Sequence, residues 1–132
     1  EMIVYGFYPM MVSAQCVYKN YASCIKERKN GSKSQPEHLY LNDRYQKQFE
    51  VSRNCTHCYN VIYNSQPTSL LHQAREIRGL VFGSYRIVFR NETGQELQYI
   101  LQQYTDAFVN GKEILPPKEG TFTNGHFRRG VD

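Results

Sequence analysis

The sequence predicts a mixed α/β fold made of one domain, or of one section of a larger domain, and three observations carry that prediction. Two amphipathic stretches with apolar residues three and four apart flank a β-branched and aromatic stretch, which is the helix–strand–helix rhythm of a parallel sheet. The 132 residues suffice for a single core but leave little for a second, since autonomous cores usually take ~50–200 residues. Hydrophobic residues make up 40% of the chain, and no uncharged apolar run approaches the ~20 residues of a membrane span, so no membrane crossing and no membrane partner are expected.

Taken in order, residues 2–5 are apolar and β-prone, and Gly6 and Pro9 mark the exit into a second apolar run, Met10-Met11-Val12. Residues 1–6 read as a buried strand already in progress, with no basic region or cleavable apolar segment ahead of it, so the chain is expected to be a fragment. From Tyr18 to Glu37, Lys, Asn, Ser and Gly without a steady period predict an exposed loop. Leu39-Tyr40-Leu41 and residues 45–51 flank the polar Asn42-Asp43-Arg44 as two strands flank a hairpin turn, and there Asp43 and Arg44 read as turn chemistry. A short β-like segment, 59–63, follows. Ser65-Gln66-Pro67 reads as a helix start, with Leu70, Leu71, Ala74 and Ile77 at helical spacing and Gly79 as its stop. Residues 80–82 and 85–89 then predict a buried strand. A second amphipathic helix follows Gly94, with Leu97, Ile100, Leu101, Tyr104 and Phe108 on its apolar face and Gly111 ending the run; the remainder is loop. The expected organisation is therefore a strand with a loop and hairpin over 1–65, then helix, strand, helix and loop over 66–132.

A formal net charge of +4 leans basic without the concentrated footprint of a dedicated nucleic-acid binder. Four cysteines allow two disulfides in an oxidising compartment or one four-ligand site in a reducing one. Three Asn-x-Ser/Thr tripeptides, at Asn30, Asn54 and Asn91, lean toward the secreted alternative, although a glycan on Asn54 would obstruct its neighbour Cys55. Cys55-Thr56-His57-Cys58 is the most informative local feature, because two cysteines three apart on a turn can aim both sulfurs at one ion. Cys16 and Cys24 would supply the other pair if the intervening loop and hairpin fold back. All-thiolate ligation selects zinc or an iron–sulfur cluster over hard cations. His57 could replace one ligand or stand in solvent.

Two further features suit anions. Arg86 interrupts a strand of Tyr85, Ile87, Val88 and Phe89; facing inward it would need a carboxylate or phosphate, and facing outward it would be a solvated edge residue. His126, Arg128 and Arg129 form a basic cluster flanked by Gly125 and Gly130, to be set against an exposed tail. No Ser/His/Asp arrangement, glycine-rich phosphate loop or H-E-x-x-H motif is present.

Several separated segments, in order, resemble the collagenase-like peptidase family, peptidase family U32. They are residues 1–6, Pro9 to Cys16, Leu41-Asn42-Asp43-Arg44, Cys55-x-x-Cys58 with residues 59–65, and Gly125-His126-Phe127-x-Arg129-Gly130-Val131. The family's early signature cysteine is replaced here by Pro9, and the interval from Cys24 to Cys55 is long. The resemblance implies the C-terminal section of a TIM-barrel-like catalytic domain with a β-hairpin insertion, belonging to a cytoplasmic bacterial enzyme and partnered by the remainder of the parent protein. It implies a peptidase acting on a peptide substrate or, alternatively, a factor for iron–sulfur-dependent hydroxylation of transfer or ribosomal RNA. Cys16, Cys24, Cys55 and Cys58 would then hold a four-iron cluster or zinc, and Arg86 with the 126–129 cluster would contact substrate. A non-catalytic RNA- or protein-binding module is the third alternative. The isolated section is expected to be inactive.

Overall fold

The computed structural model of the chain describes residues 1–21, 39–115, 117–125 and 127. Among the described residues the fold is mixed α/β, with two sheets and a few short helices. It divides into two compact units, one comprising Glu1–Phe7 with Gln66–Asp132 and the other Tyr8–Ser65. The residues grouped by sequence as 1–65 are thus split, because the first strand pairs with strands that come after residue 65.

In the first unit, β1 (Met2–Gly6) is the central strand of three, antiparallel to β6 (Thr68–Ser69) and parallel to β7 (Tyr85–Val88). A central strand covered by other elements reads as a continuous apolar run, and Val4 and Tyr5 are accordingly both buried. Gly6 has a φ of +144°, and a Cβ there would fall 2.7 Å from the Val88 carbonyl oxygen, so β1 and β7 approach at a spacing that only glycine permits.

Between β6 and β7 lie a 3₁₀ turn (Leu71–Gln73) and α2 (Ala74–Arg78). Leu71, Ala74 and Ile77 face the core, and Ile77 is fully buried. The helix expected from residue 65 begins later because Tyr5 pairs with Ser69 and Gly6 with Thr68, which draws those residues into the sheet. The strand expected over 80–89 is also shorter. Val81 takes a left-handed φ of 52° and is 87% exposed, which breaks the extended run before β7.

The helix α3 (Gly94–Tyr104) opens with a capping box in which Thr93 Oγ1 accepts from the Glu96 amide and the Glu96 carboxylate accepts from the Thr93 amide at 2.8 Å. It runs into a π turn (Thr105–Val109) that buries Asp106, Ala107 and Phe108 in succession. The rings of Tyr104, Phe108, Tyr5 and Tyr85 pack with centroids 4.8–5.8 Å apart. The Asp106 carboxylate accepts from Gln102, Asn110 and Lys112, and these bonds, Asn110 foremost, hold its pKa down at about 2.

The second unit is an antiparallel sheet in the order β2 (Pro9–Ser13), β5 (Tyr59–Tyr63), β4 (Gln48–Asn54), β3 (Leu39–Asn42). The hairpin expected around Asp43 joins β3 to β4: Asp43 Oδ1 accepts from the amides of Tyr45 (2.7 Å) and Lys47 (2.9 Å), an Asx turn that accounts for this residue structurally. The apolar run Met10-Met11-Val12 forms an exposed edge strand. The loop expected from Tyr18 begins instead with α1 (Val17–Tyr21), and residues 22–38 lie outside the described residues. Tyr18 is buried because its hydroxyl donates to the Val51 carbonyl at 2.9 Å and the Arg53 guanidinium lies 4.6 Å from its ring centroid.

Candidate metal centre

Strands β4 and β5 are joined by a four-residue turn that carries Cys55 and Cys58. The last cross-strand pair is Asn54 with Tyr59, and the Asn54 side chain builds the turn. Its Oδ1 accepts from the His57 amide at 3.0 Å, and its Nδ2 donates to the Tyr59 hydroxyl at 3.1 Å. The amide that the glycosylation tripeptide would modify is therefore engaged at both ends. His57 stacks on Tyr59, with centroids 6.5 Å apart and planes 26° from parallel. Cys58 takes a left-handed φ of 57°, uncommon for a residue with a Cβ, and its sulfur lies 3.9 Å from the Cys55 carbonyl oxygen. Cys55 is half-buried and Cys58 exposed.

Cys16 reaches the same end of the sheet by way of β2, whose last residue, Ser13, pairs with Asn60. Beyond it the Gln15 amide donates to Ser13 Oγ at 3.2 Å, and the Gln15 carbonyl accepts from Asn60 Nδ2 at 2.8 Å. Asn60 is fully buried, so this bond ties the exit of β2 to the residue two places beyond Cys58. Cys16 follows directly, and its carbonyl accepts from the Lys19 amide as α1 begins.

One hairpin turn and the exit of β2 thus carry three cysteines to one end of one sheet, and no disulfide joins Cys16, Cys55 and Cys58 to one another. Soft thiol donors suit zinc or an iron–sulfur cluster. As their side chains stand, no three His, Cys, Asp or Glu residues among the described residues are gathered closely enough to hold a metal ion. Cys24, the fourth member of the expected set, lies outside the described residues, as do His126, Arg128 and Arg129.

Arg86 belongs to the other unit and takes the outward alternative. Its Nη2 lies 2.6 Å from Glu1 Oε1, and both side chains are about half exposed, at 55% and 47%. Glu1 thus supplies Arg86 with a carboxylate from the same unit.

Sequence reasoning passed over a cavity of about 530 Å³ in the first unit, lined by Tyr5, Ser69, Tyr99, Gln103, Ile114 and Phe122 among others. Behind it Ser69 Oγ and the Tyr104 hydroxyl lie 2.6 Å apart, both residues being buried, and Tyr5 donates to Glu92 Oε1 at 2.9 Å. Burial first, and for Tyr5 the Glu92 carboxylate second, pushes both phenols above their usual range. Period-based reading places Tyr5 in a buried strand and Tyr104 on an apolar helix face, and is silent on the space beside them.

Comparison of the chain with models of known protein families, with curated proteins and with solved structures finds no match.

Proposed function

We propose that the chain is the C-terminal section of a barrel-type enzyme of the peptidase U32 family, in which Cys16, Cys24, Cys55 and Cys58 hold a four-iron cluster or zinc. The observation that carries this reading is the arrival of Cys16 at the end of the sheet occupied by the Cys55–Cys58 turn, tied there by the Asn60–Gln15 bond. The resemblance of the sequence segments supplies the family and the fourth ligand. The parallel pairing of β1 with β7, with α2 between them in sequence, supports the barrel reading, because a parallel pair needs a crossover connection and a β/α barrel repeats that unit. The two-hairpin unit corresponds to the insertion. A cytoplasmic setting agrees with cysteines that serve as thiolate ligands.

Bound at four thiolates, a cluster supplies a one-electron couple, whereas zinc so enclosed has no open position for water and serves structure. The chain's own part is to fix the sulfurs: Asn54 shapes the turn that carries two of them, and Asn60 anchors the third. Peptide hydrolysis, if it is the parent's reaction, draws on groups outside this section. A second reading, iron–sulfur-dependent hydroxylation of RNA by the same family, is favoured by the all-sulfur donor set and by the want of any Ser/His/Asp or H-E-x-x-H arrangement in the sequence.

The test is metal and acid-labile sulfide content of anaerobically purified protein, wild type against Cys55→Ser and Cys58→Ser. Stoichiometric metal in the wild type and a fall of roughly tenfold or more in each variant are expected, since even outer-shell changes cost that much. Unchanged content in both variants overturns the site. Assay of the parent protein on peptide and on RNA separates the two reactions.

A further inference from the structure

In the first unit, a second pocket of about 420 Å³ opens between α2 and the segment that follows the π turn, with Leu71, Arg75, Arg78, Lys112, Glu113 and Ile114 among its lining. Its size is that of a small-molecule site, which typically takes ~300–1,000 Å³. Arg75 and Arg78 are three residues apart on α2, so their side chains emerge on one face. Among the described residues, neither makes a salt bridge with a carboxylate. Two guanidinium groups that face one pocket favour the entry of an anion.

Arg78 is also held in place. Its guanidinium lies against Gly111, whose φ is +71°, and a Cβ on that residue would fall 2.5 Å from Arg78 Nη1. Its Nε is buried and has no hydrogen-bond partner among the described residues. Placement near the C-terminal end of α2 accounts for a cation there through the helix dipole, but it does not account for a buried N–H with no acceptor. On the far wall Lys112 is anchored by Asp106 Oδ1 at 2.9 Å, Glu113 is the carboxylate of the lining, and His72 also lines the pocket. Apolar walls from Leu71, Ala74 and Ile114 lower the local dielectric and strengthen any ion pair formed inside.

We infer that this pocket binds a small oxyanion, most suitably the phosphate group of a small molecule, through the paired guanidinium groups of Arg75 and Arg78. The planar fork of a guanidinium matches two oxygens of such a group at once, which a point charge cannot do. Neither the cysteine site nor the family reading enters this argument.

The test is calorimetric titration of the full chain with inorganic phosphate, and separately with acetate, at constant ionic strength set by chloride. Saturable phosphate binding is expected, weakened about tenfold or more by Arg78→Lys, which keeps the charge and removes the fork, and by the exposed-site variant Arg75→Gln. Far-UV circular dichroism and melting without phosphate establish that the variants fold. Binding of phosphate alone assigns a tetrahedral ligand, and binding of both anions extends the site to carboxylates. Absence of saturable binding by either anion, or equal affinity in wild type and Arg75→Gln, overturns the inference.

Discussion

Ser69 and Tyr104 join β6 to the end of α3 through a hydroxyl pair 2.6 Å apart, with 2% and 4% of the two residues exposed, and removing one hydroxyl at a time measures what that join contributes. Tyr104→Phe keeps the ring that packs on Phe108 and Tyr5 and leaves Ser69 Oγ buried without its partner. An unmade buried hydrogen bond costs about 1–3 kcal/mol, and Ser69→Ala, which orphans the phenol instead, should cost about the same. The double variant removes both polar groups, so its cost should fall short of the sum of the two by about 1 kcal/mol or more, which is the coupling of the pair. Urea unfolding gives the free energies, and an unchanged dependence on urea certifies the same unfolding transition. The alkaline side gives an independent reading. The folded-state pKa of Tyr104 is raised, chiefly by burial, so its contribution is full below the ordinary phenol pKa of about 10 and is lost as pH rises beyond that. Tyr104→Phe should therefore lose less of its stability than the wild type between pH 9 and pH 11, the window in which the unfolded phenol ionises at about pH 10. Additive single effects, with no coupling in the double variant, would refute the reasoning.

Two further predictions concern the first unit. Gly6→Ala places a methyl group 2.7 Å from the Val88 carbonyl at a φ that disfavours side chains, and should cost at least about 1 kcal/mol, seen as faster hydrogen exchange of the β7 amides. The Asp106 pKa is lowered to about 2 by its three donors, so its contribution is present above the unfolded value of about 3.9 and lost as pH falls toward 2. Asp106→Asn should flatten the acid limb of stability between those values in pH-dependent melting, and an acid limb identical to that of the wild type would contradict the role assigned to the carboxylate.

What the sequence made legible was local pattern. The alternation of Phe49 and Val51 against Gln48 and Glu50 marks β4, and Asp43 marks the turn before it. The helix after Gly94 is visible because its apolar residues repeat at three and four, whereas its capping box from Thr93 to Glu96 emerges from the structure. Legibility ended where tertiary pairing decides. Ser65-Gln66-Pro67 carries helix-start chemistry, yet β1 pairs with the Thr68 and Ser69 that follow and draws them into the sheet. Leu80-Val81-Phe82 has the composition of a buried strand, yet lies exposed around a left-handed Val81. The π turn is hidden because Phe108 keeps helical spacing from Tyr104, so the segment reads as a continuation of the α-helix.

The candidate sites divide in the same way. Cys55-x-x-Cys58 announces its turn, but the approach of Cys16 depends on Asn60, a polar residue at a buried strand position with nothing local to mark it. Arg86 attracted attention as a charge inside an apolar strand, and its partner proved to be Glu1, far away in sequence. Arg75 and Arg78 drew no reading from the sequence, because the buried Nε and the seat of Arg78 against Gly111 are set by tertiary contact.

X-ray absorption at the metal edge of anaerobically purified protein addresses the central claim most directly. Convergence of the four cysteines on one centre predicts about four sulfur scatterers per metal, at ~2.3 Å if the metal is zinc. A first shell of nitrogen and oxygen at ~2.0–2.2 Å, or protein that carries no stoichiometric metal, would contradict it.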